Sequence, residues 1–147
     1  MADDYDDIDA QLDSMRERAA DCIAPCLFTT GIQRFGELAR QANSHQRVIP
    51  YVLARFHQMD MAQYVFDFDL MRDNAIELIA LMEDEEHARK FEPALPVEEY
   101  EYHGSWMTAC LYENLAEAIG QSDGYKSDGM HQCIADGLEV CHRTGKL

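Results

Sequence analysis

The side chains best placed to act on another molecule are carboxylates. Asp69, Asp73 and Glu77 recur at i, i+4 and i+8 with no base between them on that line. On a helix this spacing sets acids about 6 Å apart along one edge. Like charges so placed cost about 0.2–0.5 kcal/mol per pair, and a stretch shaped by stability alone would alternate signs. Glu83, Asp84, Glu85 and Glu86 extend the ladder. Further on, Glu98, Glu99 and Glu101 interleave with Tyr100 and Tyr102. Tyrosine beside acids suits an interface with a basic partner. Trp106 is instead expected to pack on the helices.

Two other chemistries compete. Glu139-x-x-His142, with the aspartate variants Asp84-x-x-His87 and Asp128-x-x-His131, matches the i, i+3 pair of helical metal-carboxylate sites. Such a site needs inward carboxylates from several helices, whereas these pairs fall in hydrophilic runs or near the end of the chain. Cys22-x-x-x-Cys26 lacks the two-residue gap of zinc or thioredoxin-like motifs. The five cysteines therefore read as small buried apolar residues or reduced thiols. No Gly-rich phosphate loop, dinucleotide fingerprint or nucleophile elbow occurs. No metal, cofactor or catalytic group is assigned.

The formal charge is −16. Six acids and no base fall in residues 1–13. Residues 14–58 carry six bases and three acids, and residues 67–101 carry twelve acids and three bases. This balance opposes direct nucleic-acid binding, which rests on basic contacts to phosphate, and points to a basic protein partner. There is no signal-peptide pattern at the start and no apolar run long enough for a membrane span. A cytoplasmic, membrane-free location is expected.

The elements that must carry these groups read as helices. Ile8, Leu12, Met15, Ala19, Cys22 and Ile23 share one face, with residues 1–7 expected to fray and Pro25 to end the helix. A second helix, capped by Thr29 or Thr30, buries Ile32, Phe35, Leu38, Ala39 and Ala42. Asn43-Ser44-His45 connects it to a short third helix with Pro50 in its first turn. A break is expected near His57–Met59.

Then Met61, Tyr64, Phe68, Met71, Ala75, Leu78 and Met82 follow heptad spacing. Asp60 and Gln63 stand as a capping box before them, and Val65, Ile76 and Ile79 widen the face. The spacing predicts one central helix over about 60–91, ended by Pro93 and Pro96. A fifth helix runs from Ser105 with Trp106 or Met107, then Cys110, Leu111, Leu115 and Ile119 inward, stopping at Gly120. A last one is capped by Ser127, with Met130, Ile134, Leu138 and Cys141 inward.

No period-two stretch appears. The expectation is an all-α, single-domain bundle of five or six helices over residues 1–147, without internal repeat or linker. The functional expectation is an acidic, non-enzymatic inhibitor that mimics nucleic acid and occupies a basic, nucleic-acid-handling protein. Small acidic helical proteins borne by phages and plasmids against restriction or CRISPR complexes, and immunity proteins, share this composition. A helical metal-carboxylate enzyme or sensor using Glu139 and His142 is the alternative. A structural subunit, a homodimer paired through the Met61–Met82 seam, is a third.

Overall fold

The computed structural model describes residues 2–84, 86 and 104–144. The chain is all-α, with six helices among the described residues: α1 Ala2–Ala20, α2 Phe28–Ser44, α3 Val48–Tyr64, α4 Phe68–Glu83, α5 Gly104–Asp123 and α6 Asp128–Thr144. It divides into two compact units, Met1–Asp67 and Phe68–Leu147.

In the first unit α2 is the middle helix, packed against α1 on one side and α3 on the other. Its face Phe35, Leu38, Ala39 and Ala42 meets Leu12, Ala19 and Cys22 from the first segment and Ala54 and Met61 from α3. Each large side chain so buried contributes about 1.5–3 kcal/mol. Small residues set how closely α2 and α3 approach. A Cβ on Gly31 would lie 2.5 Å from Met61 Sδ, and one on Gly36 would lie 2.9 Å from Gln58 Nε2. Gln58 is buried and satisfied: Nε2 donates to the Ile32 carbonyl at 3.1 Å, and Oε1 accepts from Arg55 at 2.8 Å. The α1 terminus is tied by Arg34, whose Nη1 donates to the Arg18 carbonyl at 2.8 Å, a favourable place for a cation.

Helix α1 starts at Ala2, where fraying through residue 7 was expected. Acids early in a helix are favoured by its dipole. α2 starts at Phe28 with no side-chain cap, so Thr29 and Thr30 do not serve as its N-cap. α3 runs unbroken through 57–59 and contains Asp60 in its interior. The predicted capping box is therefore absent.

The predicted 60–91 helix does not form; α3 ends at Tyr64 and α4 begins at Phe68. Between them the chain makes a Schellman turn. Phe66 N–H donates to the Gln63 carbonyl at 3.3 Å and Asp67 N–H to the Ala62 carbonyl at 3.0 Å, with Phe66 at φ 61°. The heptad seam thus crosses a turn. Met61, Met71, Ala75, Leu78 and Met82 are buried, whereas Tyr64 and Val65 are exposed, so the seam is interrupted at the turn. Ile76 also departs from its expected inward place and is exposed.

Among the described residues this turn is one of three. Gln46 bonds to Asn43 and Arg47 to Ala42; Cys26 bonds to Ile23 and Leu27 to Cys22, in the same pattern. The positive-φ residues Cys26, Gln46 and Phe66 stand twenty residues apart, as do the helix starts Phe28, Val48 and Phe68. The buried register of α2 returns in α4: Gly31, Phe35, Leu38, Ala39 and Ala42 correspond to Met71, Ala75, Leu78, Ile79 and Met82. The first four helical segments are therefore laid out on a twenty-residue spacing that residue identity conceals. From Phe28 and Phe68 onward, α2 and α4 agree only at 28/68, 37/77 and 38/78.

In the second unit α5 is the middle helix, in contact with α4 and α6. Leu111 and Leu115 are buried as predicted, and so is Met107, one of the two residues offered for the first position of that face. α5 continues past Gly120 to Asp123 and ends at Gly124, whose φ of 98° requires glycine. Gly120 is instead a packing residue, with Tyr125 2.9 Å from where its Cβ would stand. Ser127 does cap α6, accepting from Met130 N–H at 3.3 Å. The inward face of α6 differs from the expected one. Cys133 and Val140 are buried, while Ile134 and Leu138 are exposed. Gly137 decides this: a Cβ there would lie 3.1 Å from Tyr112 Cβ, so the helix approaches through its small residues.

Candidate functional site

The acidic face of α4 forms because Met71, Ala75, Leu78 and Met82 turn one side of the helix inward. Asp69, Asp73 and Glu77 are left exposed. Between Phe68 and Glu83 the helix carries four acids and one base, a net −3. That base, expected to lie off the ladder, reaches two of its rungs. Arg72 Nη2 lies 2.9 Å from Asp69 Oδ1, and Nε lies 3.8 Å from Asp73 Oδ1. The carboxylates are 80% and 72% exposed, so water screens these pairs and each contributes about 0–1 kcal/mol. One guanidinium thus offsets part of the charge of two acids.

Glu83 has an internal role, accepting a hydrogen bond from the Tyr112 hydroxyl at 2.8 Å. Burial and the Glu83 carboxylate push the Tyr112 phenol up to about 12. Asp84 is exposed, and its Oδ1 accepts from the Glu86 N–H at 3.0 Å. Glu85, Glu98, Glu99, Tyr100, Glu101 and Tyr102 lie outside the described residues. His87 does too. Glu139, His142, Asp128 and His131 are exposed, and no three His, Cys, Asp or Glu side chains converge as a metal site among the described residues. All five cysteines are free thiols. Cys133, buried against α5 despite its expected off-seam place, has its thiol pushed up by burial and by Asp136.

A second feature was not foreseen. In the first unit a cavity of about 310 Å³ opens between the turn after α1, the start of α2 and the end of α3. Its apolar wall is Ile23, Phe28 and Met61; its polar groups are Cys26, His57, Asp60 and Tyr64. Phe28 and Tyr64 stack at 4.6 Å with planes 13° apart. His57 stacks on Phe35 at 5.0 Å and meets the edge of Phe56 at 6.2 Å. Burial among these rings pulls the imidazole below its usual range, with Asp60 acting to raise it and Arg16 to lower it. Partial desolvation pushes the Asp60 carboxyl up, and His57 opposes this. The signal was present in sequence: His57, Asp60, Met61 and Tyr64 share one helical face at i, i+3, i+4 and i+7. The expected break at 57–59 and cap at 60 would cut across that face.

Comparison with protein-family models, with curated proteins and with solved structures gives no match to this chain. No described helix is long and apolar enough to cross a membrane.

Proposed function

We propose that this chain is an acidic, non-enzymatic inhibitor that binds a basic, nucleic-acid-handling protein by presenting charge in place of nucleic acid. The observation that carries this reading is the outer face of α4: Asp69, Asp73 and Glu77 in one exposed row, with Arg72 the lone base of that helix. A rigid helix holds these charges about 6 Å apart without further ordering cost. The overall charge of −16 supplies the long-range attraction that raises association rates with cationic partners. Phage- and plasmid-borne anti-CRISPR, anti-restriction and immunity proteins are the compositional analogues of such a chain, and that analogy supports the reading.

The test reverses Asp73 and Glu77 to lysine. Both are exposed, so the helix should survive by circular dichroism. Association of the unmodified chain with a basic protein isolated on it should slow steeply as ionic strength rises above about 0.1 M, where the Debye length falls to about 10 Å. The double variant should lose binding. Unaltered affinity, or indifference to salt, would remove the charge mechanism.

A further inference from the structure

We infer that the cavity between α2 and α3 is a receptor for one arginine side chain of the basic partner, held by Asp60 and the exposed face of Tyr64. This rests on the charge-mimic reading for the identity of the occupant; the recognition chemistry stands on the cavity itself.

Size comes first. About 310 Å³ is at the low end for small-molecule sites and suits a single long side chain. The wall chemistry is divided as such a side chain would need. Ile23 and Met61 offer an apolar wall for a methylene stem. Tyr64 stacks on Phe28 yet remains 57% exposed, so ring surface is left for a planar cation. Guanidinium stacks on aromatic faces and binds carboxylate through paired N–H donors, which ammonium does not do. Among the described residues Asp60 is the one carboxylate lining the cavity, and no lysine or arginine lines it.

The electrostatics favour a cation. Phe28 is the first residue of α2 and Tyr64 the last of α3, so opposite helix-dipole ends adjoin the cavity and largely offset each other. The side chains then decide the sign. His57 is held toward its neutral form by the rings around it. Arg16, the base that acts on His57, is itself 3.5 Å from Asp13. Asp60 remains the local charge, within a chain of net −16 that repels anions.

The experiment titrates N-acetyl-argininamide and N-acetyl-lysinamide into isotope-labelled full chain and follows backbone amides by NMR. The arginine probe should saturate at millimolar concentration, with the largest shifts at His57, Asp60 and Tyr64. The lysine probe should bind about tenfold more weakly, and Asp60→Asn and Tyr64→Ala should each weaken the arginine probe about tenfold, near 1.4 kcal/mol. Asp73→Lys with Glu77→Lys should leave it unchanged. No saturation by about 20 mM, or equal binding of both probes, overturns the proposal, as does retention by Asp60→Asn. If the probe fails while salt-sensitive partner binding persists, only the pocket proposal falls. If the probe binds but partner affinity is unaltered in Asp60→Asn, a partner arginine is not the occupant and the proposal falls as stated.

Discussion

Gln46 offers a direct measure of what the repeated turns cost. It sits at φ 56°, exposed, with its backbone N–H on Asn43. A non-glycine residue in the left-handed region costs about 1–2 kcal/mol through the Cβ–carbonyl clash. Glycine removes that cost but loses about 0.5–1 kcal/mol more backbone entropy on folding. Gln46→Gly should therefore stabilise the first unit by about 0.5–1 kcal/mol. Gln46→Val, which keeps the left-handed requirement and adds a branch at Cβ, should destabilise it by about 1 kcal/mol or more. Gln46→Ala, keeping a Cβ, should stay close to the parent. Hydrogen exchange of the α2 amides, Phe35 to Ala42, reads the first unit without interference from the second. With a urea slope near 1–2 kcal/mol/M, the glycine variant should also shift the unit's midpoint upward by about 0.3–1 M. A glycine variant less stable than the parent, or a valine variant as stable, would show that Gln46 is not held in the left-handed conformation and would remove the Schellman reading of all three turns.

Two further predictions follow from packing and from proton linkage. Gly31→Ala places a Cβ 2.5 Å from Met61 Sδ and 3.2 Å from Cys22 Cβ; overpacking should cost about 1–3 kcal/mol, offset in part by about 1 kcal/mol of helix propensity. Gly31→Ala with Met61→Ala should then be less destabilised than the two single changes summed, as a thermal-melt double-mutant cycle would record. Tyr112, raised to about 12, favours its protonated form in the folded state, so its contribution is present below an unfolded value near 10 and is lost as pH rises from there through about 12. Its phenolate absorbance should appear about two pH units above the value of a free tyrosine, and Glu83→Gln should bring it earlier.

Much of the fold was legible in the residues themselves because amphipathic periodicity records which face is hidden. Leu12, Ala19 and Cys22, then Phe35, Leu38, Ala39 and Ala42, then Leu111 and Leu115, are buried as their spacing required. Pro50 lies in the first turn of α3 and Ser127 caps α6. The helix break after Tyr64 was not legible. Its turn is made by Phe66 in place of glycine, and apolar spacing runs on through it in phase, so periodicity alone reports one long rod. The buried face of α6 differs from the one its apolar spacing predicts for a related reason. Residue size favours Ile134 and Leu138, whereas close approach of two helices selects the line of Cys133, Gly137 and Val140.

The acids of the candidate site show the same division. Composition and spacing alone set the −16 charge and the i, i+4 row of Asp69, Asp73 and Glu77, since a helix places every fourth residue on one edge. Only tertiary structure decided that Glu83 bonds Tyr112, and only side-chain geometry that Arg72 reaches two rungs of the ladder. It also decided that His57, Asp60 and Tyr64 meet Ile23, Cys26 and Phe28 around one cavity. Local pattern fixes the direction a side chain takes from its own helix; what waits there depends on how far apart two helices settle, and that distance is set by residues, such as Gly31, whose importance lies in the atoms they lack.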